Sequence, residues 1–205
     1  MTGERIAAVV AAAGLSSRMG AFKPLLPLGS APLLARTLAP LRAAGASPIA
    51  VVTGHRASEL QARMRAEDLR FVYNAVYAST DMLASLRLGL HALENGFDRV
   101  LLLPGDAAGI LPETVRRLLK SPGEALRPAF GGKPGHPVLL SAAVARALCT
   151  YDGLGGLRGF LKTVGVREVE TNDPGILLDA DTPADYEKLR ALWREREETD
   201  YDRDS

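Results

Sequence analysis

Apolar runs that do not alternate with polar residues occupy positions 6–10, 49–53 and 100–103, and stretches with helical spacing lie between them. A strand that is apolar at consecutive positions has to be covered on both faces. The pattern therefore points to an α/β chain with a mostly parallel, doubly covered sheet. Residues 71–73 supply a further strand. Leu33, Leu34, Leu38 and Leu41 share one face of a helix over 32–44 that stops before Gly45, and Met82, Leu83, Leu86, Leu90 and Leu93 form a stripe that stops before Gly96. Parallel sheets bind ligands at the carboxyl ends of their strands, and two loops fall there, one after Val10 and one from Pro104.

The rest of the chain extends this plan. A helix is expected from near Pro112. After Ser121 the composition shifts to proline and glycine, which reads as a loop-rich insertion contributing a strand pair beside the cleft. Beyond it come a strand over 138–140, helices from Ala142 and over 157–164, strands over 167–170 and 176–178, and a helix from Pro183 to about Glu197. Residues 1–197 read as one domain, and 198–205 as a polar tail expected to fray.

Composition excludes several classes of function. A formal net charge of +1 argues against a nucleic-acid surface or a membrane-steering patch, and 5% aromatic content leaves few stacking platforms for single strands. The single cysteine, Cys149, rules out an intrachain disulfide and a cysteine-only zinc site, so a reducing, cytoplasmic setting is expected, with Cys149 a structural thiol. The first apolar run is too short for a secretory segment, and no run reaches membrane-spanning length.

The loop after the first strand, 11–24, has the makings of a phosphate cradle. Gly14 and Gly20 supply backbone freedom, Ser16 and Ser17 supply hydroxyls, and Arg18 and Lys23 supply a planar and a compact cation. It is neither a dinucleotide fingerprint, which needs three closely spaced glycines, nor a P-loop, because Pro24 follows Lys23 and no helix is expected to begin at the lysine. An ordinary glycine-containing turn with two solvated cations is the competing account.

Ala12-Ala13-Gly14-x-Ser16-x-Arg18-Met19-Gly20-x-x-Lys23-Pro24-Leu25-Leu26 resembles the signature of the MobA-like nucleotidyltransferases, the family of the molybdenum cofactor guanylyl- and cytidylyltransferases. The resemblance implies a Rossmann-like sheet of the nucleotide-diphospho-sugar transferase type. It implies that Ala12, Ala13, Gly14, Ser16, Ser17, Arg18, Gly20 and Lys23 bind a nucleoside triphosphate, with Arg18 and Lys23 neutralising charge as the α-phosphate is attacked. Asp106, after Leu101-Leu102-Leu103-Pro104-Gly105, matches the family's magnesium-binding aspartate, and the chain departs from the family pattern at Ala107-Ala108-Gly109.

Asp179 and Asp181 occupy alternate positions and so face one side of an extended chain. Thr182 and Pro183 read locally as a helix start. By resemblance Asp181 is the second metal ligand. Asn74 and Ser85, in a segment ending Met82-x-x-Ser85-Leu86-Arg87-x-Gly89-Leu90, match residues placed against base and ribose, with Asp81 a candidate helix cap. Gly54 and His55 match a strand-end turn near the nucleotide; an exposed turn histidine is the plainer reading. His136, in Gly135-His136-Pro137-Val138, and Arg158 match the acceptor side.

The expected activity is magnesium-dependent transfer of a nucleoside monophosphate, from CTP by pattern, to a phosphorylated acceptor such as molybdopterin, with a molybdenum-dependent apoenzyme as a further partner and neither nucleic acid nor membrane involved. Donation from GTP, a sugar-phosphate acceptor, or a non-catalytic cofactor-delivery role are the alternatives.

Overall fold

The structure is a computed structural model that describes residues 3–94 and 96–203, with side chains described up to 197. Its strands are β1 (Ile6–Ala12), β2 (Pro27–Leu28), β3 (Ala31–Pro32), β4 (Ile49–Thr53), β5 (Leu69–Tyr73), β6 (Arg99–Pro104), β7 (Ala125–Phe130), β8 (Lys133–Pro134), β9 (Val138–Ser141) and β10 (Arg167–Glu170). The helices are α1 (Leu33–Ala43), α2 (Ala57–Arg63), α3 (Met82–Ala92), α4 (Pro112–Lys120), α5 (Ala142–Thr150), α6 (Gly156–Val164) and α7 (Pro183–Arg203).

Among the described residues the central sheet has the order β10-β7-β9-β6-β1-β4-β5, with β8 paired to β7. β6, β1, β4 and β5 run parallel, as do β7 and β10, whereas β9 is antiparallel to both β6 and β7. β1 is an interior strand between β6 and β4, with Val9 paired to Ala50 on one side and to Leu102 on the other. It is buried on both faces, which is why its sequence does not alternate. Ala8, Val10 and Ala12 join a core under α1, α2 and α4; Ala7 and Val9 join one under α3, α5 and α6.

The proline- and glycine-rich stretch does contribute a strand pair, and the pair belongs to the main sheet. Leu139 of β9 is in register with Leu101 of β6 and with Leu126 of β7. Of residues 176–178, expected as a strand, Ile176 and Leu177 end a 3₁₀ turn, Pro174–Leu177, and Leu178 follows it in extended conformation. The reason is local. Asp173 accepts a hydrogen bond from the Gly175 amide at 3.1 Å, and Gly175 crosses Gly109 so closely that a Cβ on Gly109 would stand 2.7 Å from the Gly175 carbonyl oxygen. That crossing accounts for Gly109, whose Cβ would meet backbone, while Ala107 and Ala108 are each buried in a core of their own.

α2 was not marked by periodicity because only Leu60 of its seven residues is buried. α7 starts as expected, with the Asp185 amide donating to Thr182 Oγ1 at 3.2 Å. It continues past Glu197 to Arg203, through most of the segment read as a tail; positions 204–205 lie outside the described residues. No helix among the described residues is long and apolar enough to cross a membrane. A third, smaller core of Leu28, Leu33, Ala108, Ala180 and Leu189 ties α7 to the β2–β3 hairpin. Because Ala180 is fully buried there, Asp179 and Asp181 on either side are carried to the loop after β6.

Candidate active site

The loop from β1 and the turn from β6 leave neighbouring strands at the same sheet edge. Ala11 pairs with Pro104, and the Gly105 amide donates to the Ala11 carbonyl at 2.8 Å. Phosphate-sized space opens between them, lined by Ala11, Ala12, Gly14, Ser16, Lys23 and Asp106 among others.

The loop is held open by its own contacts. Gly20 is left-handed at φ 65°, as expected of a glycine, and so is Ser16 at φ 56°. Ser16 Oγ accepts from the Lys23 amide at 3.2 Å, which closes the loop on itself. Two expectations are corrected. Gly14 is neither left-handed nor crowded, since a Cβ there meets open space, so the fold does not demand its glycine. A single 3₁₀ turn, Lys23–Leu25, does begin at the lysine; its short i to i+3 bonding tolerates Pro24, which lacks an amide donor.

Lys23 is the centre of the charge arrangement. Its ammonium donates to Asp106 Oδ2 and, at 3.1 Å, to Asp181 Oδ1. Arg18 is paired with the other oxygen of Asp181, at 3.1 Å, with its side chain 69% exposed at the rim. Burial works against the Lys23 charge, but the two carboxylates outweigh it and hold the ammonium pKa above its ordinary value. Asp179 stands in the same field. Burial first, then the charges of Asp106 and Asp181, push its carboxyl pKa up, with Lys23 offsetting part of the rise.

The carboxylates fit a hard divalent cation. Their oxygens converge on one atom, the Lys23 nitrogen, so a cation taking that point would meet both, and the negative potential that raises Asp179 would favour it. Among the described residues no cluster of three or more histidine, cysteine, aspartate or glutamate side chains is arranged to hold a metal, so further ligands would have to come from substrate phosphates and water.

Other expected residues are placed less directly. Asn74 and Ser85 are brought together and buried: Asn74 Nδ2 donates to Ser85 Oγ at 3.2 Å and to Thr80 Oγ1 at 3.1 Å, and its Oδ1 accepts from the Val76 amide. Their side-chain groups therefore clamp the 74–85 loop. Gly54 touches the phosphate loop, since a Cβ on it would lie 2.5 Å from Tyr77 and 2.6 Å from the Ala13 carbonyl oxygen. His55 is not a solvated turn residue; its ring lies between Phe22 and Tyr77, and its amide donates to the Ala13 carbonyl. Ala12 and Ala13 are equally buried, in the cores on opposite faces of the sheet, and Ala11 and Ala12 border the pocket. Ser17 opens the 3₁₀ turn Ser17–Met19.

His136 and Arg158 line a second, larger cleft of about 800 Å³ between α6 and the sheet, which also reaches Asp179. Burial lowers the His136 pKa, with Asp106 opposing, so the imidazole is neutral near pH 7.

Two supporting residues gave no motif in the sequence. Thr37 Oγ1, buried in α1, reaches the Gly105 carbonyl at 3.1 Å beside Asp106. Asp173, 2% exposed, caps α4 by accepting from the Leu111 amide at 2.8 Å and Thr114 Oγ1 at 2.7 Å.

The family model for the MobA-like NTP transferase domain matches residues 8–169, a span that holds the phosphate loop, Asp106 and the cleft histidine. The chain belongs to this family. Molybdenum cofactor cytidylyltransferase of Escherichia coli K12 is 30% identical over 190 residues, covering 91% of this chain and 96% of that protein. A nucleotidyl transferase from Methanothermobacter thermautotroptrophicus has a TM-score of 0.82 at 29% identity, with 95% of this chain and 100% of that one covered. A Mycobacterium tuberculosis H37Rv protein solved in complex with manganese has a TM-score of 0.74 at 29% identity, over 93% of this chain and 100% of that one. The chain is thus a nucleotidyltransferase of this family, close to the cytidylyltransferase in sequence and sharing the nucleotide-sugar transferase fold.

Proposed function

We propose that this nucleotidyltransferase moves CMP from CTP to a phosphorylated acceptor of the molybdopterin kind, in the cytoplasm, with residues 1–197 acting as one unit. The convergence of Lys23 on Asp106 and Asp181 at the mouth of the phosphate loop carries this reading. An oxygen of the acceptor phosphate forms a bond to the α-phosphorus, the bond from that phosphorus to the bridging oxygen of the β-phosphate breaks, and pyrophosphate leaves with the electron pair. A phosphate monoester is already anionic near neutral pH, so no general base is needed.

The residues have distinct tasks. The backbone of Ala12, Ala13, Gly14, Ser17 and Gly20 and the hydroxyl of Ser16 shape the triphosphate site. Lys23 leaves its carboxylates for the phosphates as nucleotide enters, and Arg18, exposed at the rim, follows the leaving pyrophosphate; both offset negative charge as it builds. Asp106 and Asp181 would hold magnesium, which supplies Lewis-acid stabilisation of the phosphoryl oxygens when bound. Asn74 and Ser85 act by fixing the loop beside base and ribose, with Gly54 and His55 next to it. Ala11 and Ala12 narrow the base wall against a purine, and His136 and Arg158 receive the acceptor.

Pyrophosphate release with CTP or GTP, each with and without molybdopterin and magnesium, tests the reading. Release that needs CTP, acceptor and metal is expected, with CTP favoured over GTP by about 1–3 kcal/mol, the range of a steric pocket. Preference for GTP would overturn the donor assignment, and nucleotide binding without any transfer would point to cofactor delivery.

A further inference from the structure

The larger cleft holds two buried polar atoms without a hydrogen-bond partner among the described residues, Nε of Arg127 and Nδ1 of His136, and both side chains line it. Buried polar groups are nearly always paired, so two orphan atoms on side chains that line one cavity point to partners that a bound ligand brings.

The two sit at different depths. His136 precedes β9 at the carboxyl edge of the sheet, close enough to Asp106 to feel its charge. Arg127 lies further down β7, on the face it shares with Ala125 and toward α6. The Gly135 amide donates to the Pro128 carbonyl at 2.9 Å, so the segment bearing His136 runs beside the strand bearing Arg127. The cleft thus leads from Asp179 and His136, beside the reaction centre, along β7 to Arg127, between apolar walls that include Val138, Leu157 and Ile176.

The charge of Arg127 is already answered. Its Nη2 is 2.5 Å from Glu168 Oε1, on the residue in register with it in β10. What stays buried without a partner is the Nε–H donor beside apolar walls, which suits an uncharged oxygen better than a second anion. Arg158 and Lys162, one turn apart and exposed on α6, keep unburied positive charge for a phosphate.

Building on the proposed transfer reaction, we infer that Arg127 is an acceptor-specificity residue, whose Nε donates to an uncharged oxygen, a ring or amide carbonyl, at the acceptor's non-reacting end. His136 Nδ1 contacts the acceptor between that end and the phosphate. The cleft then selects acceptors by reach: a phosphate alone never meets Arg127.

Equilibrium binding of molybdopterin and of inorganic phosphate, measured calorimetrically with a non-transferable CTP analogue present, tests this on wild type, Arg127→Lys, Arg127→Met and Glu168→Gln. Lysine preserves the ion pair with Glu168 but has no Nε donor at that place, so a structural role would be rescued and recognition would not. Both Arg127 variants are expected to weaken molybdopterin about tenfold or more, the scale of one charge-assisted hydrogen bond, while leaving phosphate and nucleotide within twofold. Glu168→Gln should bind like wild type. Unchanged molybdopterin affinity in Arg127→Lys, equal losses for molybdopterin and phosphate, or a wild type that binds no molybdopterin would each overturn the inference. Binding that follows the expected pattern without pyrophosphate release from CTP would instead remove the transfer reaction and leave the role of Arg127 standing.

Discussion

Thr37 Oγ1 lies 3.1 Å from the Gly105 carbonyl oxygen, so a fully buried hydroxyl on α1 fixes the turn that presents Asp106. The same oxygen lies 3.2 Å from the Leu33 carbonyl one helical turn back. Replacing Thr37 by valine keeps the shape and removes the donor. The Gly105 carbonyl is then left unanswered, at about 1–3 kcal/mol of stability. Denaturant unfolding should show that loss, and steady-state assays should show turnover falling more than the KM for nucleotide rises. Unchanged stability and turnover would remove Thr37 from the support of the site.

Lys23→Met should lower two readouts that respond differently to metal. Losing the ammonium leaves Asp106, Asp179 and Asp181 facing one another, so melting temperature without metal should fall near neutral pH. Adding magnesium should restore much of it. Turnover should drop by roughly 100-fold or more, as when one preorganised charge stabiliser is removed, and metal should not recover it. A variant as active as wild type would take Lys23 out of the mechanism.

Asp179 carries a pH signature. Its pKa is raised in the folded protein, so above the ordinary carboxylate value of 3.8 the unfolded chain releases the proton more readily and folding is penalised as pH climbs through the folded-state value. Asp179→Asn should therefore melt higher than wild type near pH 7, with the advantage shrinking toward pH 4. Melting curves across that range settle it; an asparagine variant less stable throughout would contradict the strained carboxylate.

Gly54→Ala would drive a methyl to within 2.5 Å of Tyr77 and 2.6 Å of the Ala13 carbonyl oxygen. Backbone on one side cannot yield cheaply, so about 1–3 kcal/mol of stability is expected to be lost. The displaced phosphate loop should also raise the KM for nucleotide. A variant with wild-type melting and KM would show that the two loops move apart freely.

The burial pattern of the sheet was legible because its cause is local: strands covered on both faces cannot alternate, and 6–10, 49–53 and 100–103 carry that constraint in their own residues. The helix starts at Asp81 and Thr182 were legible for the same reason, since a cap and its amide lie three residues apart: Asp81 Oδ1 accepts from the Ala84 amide at 3.0 Å. The cations and acids of the candidate site stood out as motifs through resemblance. Their meeting did not. Lys23, Asp106 and Asp181 are joined because Ala180 is buried against Ala108 and the β2–β3 hairpin, a contact between distant segments that no local pattern records. Asp173, Thr37 and Arg127 went unmarked on the same ground: each looks like an ordinary helix, strand or loop residue until long-range packing gives it a partner or denies it one. The sequence by itself determined the doubly covered strands, the helix starts at Asp81 and Thr182 and which residue types reach the sheet edge. Only the tertiary structure decided the Gly109–Gly175 crossing, the turn at 174–177 and the depth of Arg127, because each depends on what a segment packs against.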